Sequence, residues 1–356
     1  MAYTTVNDAS ANFQLKKYTG NGSNGHQITF DGNSNLQPDL AIAKDLGGGN
    51  WWVWYDSTRG ATKMISSNSN NAEATDANVT AFNTDGVTLG TAPDSNGNGG
   101  TYNLYGWKAN AGTTSTNTDG ATNGYNTTVQ ANQTAGFSIV KFNAAFDQGN
   151  GRYNLGHGLG AKPKFIITKC TGSSADWYTY HEEIDSNDYL RLNNTAGTSN
   201  TSSRYTFYKP DISTTIFNMD YNNILLQNQN FICYCWAEVK GYSAFAGYEG
   251  NGDADGPFVY TGFKPKVVIV KNLSGTGIWR VYDNSQQSGF NSIDRYKSLE
   301  NNGAEGDTGH PFDFLANGFK VRGTNSDVNS DGDRFAFAAW ADRPFVSSAG
   351  VPSPAH

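Results

Sequence analysis

Residues 38–44 read PDLAIAK, residues 163–169 read PKFIITK and residues 265–271 read PKVVIVK. Each stretch opens on Pro, holds Ile at its fifth position and closes on Lys. Eight residues after each Lys stands a Trp that begins a Trp-x-x-Tyr motif: Trp52 to Tyr55, Trp177 to Tyr180 and Trp279 to Tyr282. A third anchor puts an aromatic five residues before a Trp: Tyr102 and Trp107, Phe231 and Trp236, Phe335 and Trp340. The spans from Pro38 to Trp107, Pro163 to Trp236 and Pro265 to Trp340 are 69, 73 and 75 residues. Three ordered anchors at matched spacing, three times over, define an internal repeat.

The anchors read as strands. Their apolar runs are short, rich in β-branched and aromatic residues, and bounded by Gly, Asn, Ser and Thr. A looser element, residues 82–89 and 314–321, carries Asp-Gly or Asn-Gly between apolar stretches, as a hairpin does. The middle copy keeps only an echo of it, at Thr215 to Phe217. Tyr18 to Gly22 also matches Tyr248 to Gly252. The expected fold is all-β, with three tandem antiparallel β-sandwich modules of jelly-roll type. The boundaries are an N-terminal arm at 1–11, repeats at 12–110, 136–240 and 241–345, and a C-terminal tail at 346–356. Residues 111–135, rich in Thr, Asn and Gly, read as an extended linker. The second and third repeats follow one another closely and are expected to pack together.

Composition narrows the function. Of 356 residues only 16% are charged, the net charge is −7, and the 25 basic residues are scattered. A nucleic-acid binder concentrates its basic side chains on one face, so none is expected here. No apolar run approaches the roughly 20 residues that span a bilayer, so no membrane insertion is expected. Met1 to Gly20 lacks the order of a signal peptide. Cys170, Cys233 and Cys235 are read as buried, reduced thiols, because CxxC spacing is missing.

Chemistry-bearing residues are few. The six anchor Trp are read as core, since a Trp at one place in every copy fills one slot. Trp51 and Trp54 occur only in the first copy and are the aromatic candidates for a binding surface. Asp56, His181 and Asp283 follow the Trp-x-x-Tyr motif; a position that alternates Asp with His reads as a strand-end hydrogen-bonder. With Arg59 and the His181 to Asp185 loop, these make the candidate binding set: Trp51, Trp54, Asp56, Arg59 and His181. His26, His157 and His310 lie in Gly-rich turns. Asp327, Asn329, Asp331 and Asp333, with Gly332, match the opening of a calcium loop. The match fails at its twelfth position, Ala338, so a hairpin turn is expected there and no cofactor, calcium included. No carboxylate pair recurs, and no catalytic residue or enzyme activity is expected.

Longer phrases carry a resemblance. Residues 18–22 (YTGNG), 56–60 (DSTRG) with 71–75 (NAEAT), 134–140 (TAGFSIV), 156–163 (GHGLGAKP), 235–241 (CWAEVKG) and 256–263 (GPFVYTGF) are similar to a repeat-domain family in marine, cyanobacterial and freshwater bacteriophage genomes. The similarity covers residues 12–345, and the middle copy departs from it at His181 to Asp185. It implies a virion component, often tail-fibre-like, assembled in the host bacterial cytoplasm, and no catalytic residues. The expected function is therefore a non-enzymatic structural protein of a tailed-phage virion, an exposed tail fibre or appendage for host attachment. Alternatives are a capsid decoration or capsid fibre protein, and a free lectin-like glycan-binding module. Expected partners are other virion proteins, further copies of the chain (a trimer is common among fibres) and host-surface glycan.

Overall fold

The computed structural model describes residues 3–120, 125–145, 152–200, 207–220, 226–285, 291–347 and 349–351. It is all-β, with 46% strand and 4% helix, in several antiparallel sheets. Three large sheets share one strand order. The first runs Phe13–Thr19, Thr101–Trp107, Leu40–Asp45, Val53–Asp56, Lys63–Ser66. The second repeats it as Phe137–Asn143, Asn230–Ala237, Pro163–Cys170, Trp177–His181, Asp188–Arg191. The third repeats it as Ser243–Glu249, Arg334–Pro344, Phe263–Asn272, Arg280–Asp283, Ile293–Ser298. In each, an entry strand pairs with a closing strand, then come the Pro strand and the Trp strand. The register repeats as well: Trp107 lies opposite Phe13 and Leu40, Trp236 opposite Phe137 and Phe165, Trp340 opposite Ser243 and Val267.

Period-two alternation gives each large sheet two buried faces. In the first Pro strand, Leu40 and Ile42 enter a core shared by all three copies. Ala41 and Ala43 face the other way, onto Ile28, Val79, Val87 and Leu89 of the small sheet His26–Ile28, Val87–Leu89, Val79–Phe82. This is why the strand reads as a continuous apolar run. The second copy's small sheet pairs Arg152–Gly156 with Ile216–Asp220. In the third copy the corresponding strands continue the main sheet.

The three closing-strand indoles meet at the centre. Trp107 and Trp340 are 5.2 Å apart, Trp236 and Trp340 5.7 Å, Trp107 and Trp236 6.0 Å, each pair edge to face. Among the described residues, none of the three indole N–H groups has a hydrogen-bond partner. The T-shaped contacts offer ring faces as weak acceptors instead. Beside them lies an apolar cavity of about 20 Å³ lined by Trp52, Trp54 and Leu299, among others. The copies thus surround one core as a pseudo-threefold ring, and the packing is not confined to the second and third.

Residues 111–135 are not a bare linker. Ser115–Asn117 and Thr127–Asn132 add two strands to the second sheet, beyond its entry strand. Thr127 and Val129 are buried there while Thr128 is exposed, an alternation that polar side chains hid from composition. The matching phrases at Tyr18 and Tyr248 also have a structural cause. Tyr18 donates to the Ser95 carbonyl and Tyr248 to the Val328 carbonyl, docking each phrase on a one-turn helix, Pro93–Asn96 or Ser326–Asn329. A Cβ at Gly20 would stand 2.3 Å from the Gly97 oxygen, and one at Gly250 2.2 Å from the Ser330 oxygen. Only glycine fits.

Candidate functional site

The polar residues that recur between copies converge on the three seams of the ring. Each Trp-strand indole donates across a seam to a backbone oxygen of the preceding position in the cycle. Trp52 of the first copy reaches Ser298 of the third at 2.7 Å. Trp177 of the second reaches Ser66 of the first at 2.8 Å, and Trp279 of the third reaches Arg191 of the second at 2.9 Å. The cycle closes head to tail.

The Lys of the first anchor stands behind each indole. Lys44, Lys169 and Lys271 are fully buried, and each ammonium lies 5.7–5.9 Å from the centre of its own copy's Trp ring. Each donates to a carbonyl of its own copy and one across the seam. Lys44 bonds Asn50 and Asn302, Lys169 bonds Ala175 and Asn70, Lys271 bonds Gly277 and Thr195. Burial pulls all three ammonium groups down to about 8.

At the other side of each seam sits the residue after the Trp-x-x-Tyr motif. The Asp56 carboxylate accepts from Tyr234 of the second copy at 2.7 Å and pairs with Arg59 at 2.5 Å. Asp283 accepts from Tyr105 of the first copy at 2.6 Å and pairs with buried Lys297 at 2.7 Å. Burial alone would raise the Asp283 carboxyl, but the Lys297 ammonium outweighs it and holds the group below the usual range. The remaining seam changes both partners together. His181 replaces the carboxylate and Ala338 replaces the Tyr, and the His181 Nε2 donates to the Phe337 carbonyl at 3.0 Å. The backbone N–H of Glu183 donates to its Nδ1, which fixes the Nε2–H tautomer. Burial pulls this imidazole down to about 4.

The candidate binding residues are therefore placed as follows. Trp54 is 2% exposed, against Trp177 and Tyr234. Asp56, Arg59 and His181 lie inside seams, and Trp51 is half-buried with its backbone N–H donating to Asp94. Among the described residues, the large exposed aromatics are Phe258 and Tyr260, on the edge strand Phe258–Tyr260 of the third sheet. Nothing in their sequence setting distinguishes them from buried strand residues. The seam lysines were visible as part of an anchor, but not as seam residues. Pairing partners as distant as Tyr105 and Asp283 leave no local signal.

In the Asp327 turn the oxygen donors serve different partners. Asp327 accepts from Arg280 at 2.7 Å and from the Ile278 N–H. The Asn329 amide reaches Asn251, Asp253 and Gly323, and Asp333 accepts from Asn272. Asn96 makes the equivalent set of bonds in the first copy. Among the described residues, no group of three or more His, Cys, Asp or Glu side chains is gathered around a metal-sized site. His157 is buried, accepting from the Leu159 N–H, and burial pulls it down to about 4. His26 bonds Asn96; the His310 side chain lies outside the described residues. All three thiols are buried and free, and among the described residues no helix is long and apolar enough to cross a membrane.

Among known proteins, one family model matches residues 8–344, and its description is a domain of unknown function, DUF7483. No curated protein and no solved structure matches the chain.

Proposed function

We propose that this chain, which belongs to the DUF7483 family, is a non-enzymatic structural protein of a tailed-bacteriophage virion. Each copy is read as a jelly-roll-like sandwich module, and the whole as an exposed tail fibre or appendage that meets the host surface. The observation that carries this reading is the closed cycle of seams. Every repeated Trp, Lys and strand-end polar group is consumed in holding copy to copy. Chemistry of that kind builds a rigid particle part and leaves no repeated group over for catalysis. The resemblance of the quoted phrases to phage repeat domains supports the virion setting. Phe258 and Tyr260 offer exposed aromatic surface of the kind that stacks on sugar rings.

The pseudo-threefold ring favours one alternative, a capsid decoration protein seated on a threefold or quasi-threefold axis. Labelled electron microscopy of intact virions separates the two. Label on the tail is the expected result. Label only on the capsid shell rejects the appendage reading in favour of decoration, and virions without label reject both.

A further inference from the structure

The three entry strands share a position in the ring but not a neighbour. In the second copy, Phe137–Asn143 is flanked on its outer side by Thr127–Asn132, paired antiparallel. In the first copy, Phe13–Thr19 is the edge of its sheet, and among the described residues no strand lies beyond it. The phase of the hydrogen bonds shows which groups face that edge. Lys108 N–H donates to the Asn12 carbonyl and Gly20 N–H to Gly100, so the even-numbered residues bond the closing strand. Phe13 and Leu15 then turn their N–H and C=O outward. In the second copy Ala144 N–H donates to Gln229 in the same phase, and Phe137 and Ile139 face outward, onto Asn132 and Gln130.

The outward residues also match by type. They read Phe, Leu, Lys at 13, 15 and 17, and Phe, Ile, Lys at 137, 139 and 141. The third copy's entry strand is also an edge of its sheet, but its outward positions are Ser243, Phe245 and Gly247, a different pattern without the Lys. A Cβ at Gly247 would stand 2.9 Å from a Glu183 carboxylate oxygen, so the second copy's own loop already covers that place.

Space is present where the missing strand would lie. A cleft of about 390 Å³ runs between Phe13, Gln14 and Leu15 on one side and Lys266, Asp342 and Arg343 of the third copy on the other. Its far wall is the counterpart of the one that Thr127–Asn132 leans on. There, Gln130 donates to Ser57 and Thr58, and Asn132 donates to the Lys108 carbonyl. Lys108 follows Trp107 as Ala341 follows Trp340.

We propose that this cleft is a strand-docking site. It takes one extended segment of another polypeptide, antiparallel on Phe13–Thr19, by β-augmentation. The occupant has the chemistry of residues 128–132, TVQAN: an alternating small or β-branched residue against the sheet, with amide side chains reaching across the seam. Because Lys266, Asp342 and Arg343 of the third copy wall the cleft opposite Phe13 and Leu15, the occupant is assigned as a single inserted strand. The site rests on the repeat geometry and is independent of a virion location.

The test is a labelled peptide of residues 125–134 (YNTTVQANQT) titrated into the intact protein, with a scrambled peptide as control. Saturable binding is expected, with slowed amide exchange at Phe13 and Leu15. Leu15→Pro removes an outward N–H without touching the closing-strand ladder, and is expected to weaken binding at least tenfold. Glu249→Pro, at an exposed outward position of the third copy's edge, is expected to leave it unchanged. Absence of binding, or protection appearing at Phe245 instead of Leu15 in the unmodified protein, overturns the proposal. A self-associated protein whose Leu15 amide is protected without peptide overturns the partner assignment in favour of a second copy.

Discussion

The Tyr234 hydroxyl donates to the Asp56 carboxylate across 2.7 Å, although 178 residues separate them in the chain. The Tyr105 hydroxyl does the same for Asp283 across 2.6 Å, also at a separation of 178. Neither pair is recognisable from local sequence, yet each closes a seam between copies. Asp56 also holds Arg59, whose side chain is 3% exposed, and this ordering of partners sets the first expectation.

Tyr234→Phe removes one hydrogen bond to a carboxylate that keeps its cation. The expected loss is about 1.5–2 kcal/mol. Arg59→Leu leaves Asp56 buried without its cation and is expected to cost more, about 3–5 kcal/mol. Urea unfolding of both variants checks the order. A Tyr234→Phe loss equal to or larger than the Arg59→Leu loss would contradict the assignment of Arg59 as the main counter-charge.

Lys44 carries a pH signature. Its folded pKa is drawn down to about 8 by burial, below the ordinary lysine value. The unfolded chain therefore holds the proton after the folded chain has released it, and stability rises with pH between about 8 and 10.5. Comparison with Lys44→Met cancels the opposing titration of buried thiols and tyrosines. The expected result is that Lys44→Met becomes relatively more destabilising by about 1–3 kcal/mol as pH rises through that window. A difference that is flat or shrinks with pH would sink the burial argument.

His181 works at the acid end. It is neutral in its seam with a pKa near 4, while the unfolded group titrates near 6.5. Below pH 6.5 the unfolded chain takes up the proton first, so stability falls from there to about pH 4. Glutamine at 181 can keep a donor toward Phe337 without titrating. His181→Gln is expected to remove its own share of the fall between about pH 6.5 and 4, leaving the shares of His157 and of carboxylates held low, such as Asp283. An unchanged limb would mean that this seam does not feel the charge.

The Asp327 turn is expected to be indifferent to calcium, because Arg280 and the Ile278 N–H hold Asp327, Asn272 holds Asp333, and Asp331 stands exposed to solvent. Thermal unfolding with millimolar calcium and with chelator should give the same Tm. A calcium-dependent rise would require those bonds to be exchanged for ligation.

Much of the fold was legible in the anchors, because core slots recur with the copy and Trp, Pro and Lys are costly to move. The all-β class followed from short β-branched runs between turn residues. The ring did not follow: residues 108 or 246 positions apart, such as Ser69 and Trp177 or Trp52 and Ser298, meet by topology alone. The strands within 111–135 leave little apolar signal, because Thr, Gln and Asn fill a half-buried strand by hydrogen bonding rather than by apolar surface. The candidate site was half legible. Asp56 and His181 stood out as a variable strand end, but the paired change of Tyr to Ala at 338 needed the seam in view.

The central claim is that three copies share one core closed by Trp107, Trp236 and Trp340. Differential scanning calorimetry of the intact chain, alone and as Trp107→Ala, tests it most directly. A single transition is predicted, with calorimetric and van't Hoff enthalpies that agree, and the variant should shift that whole transition downward. Its expected cost is about 3–5 kcal/mol. Separate transitions, with Trp107→Ala lowering only one of them, would contradict a shared core.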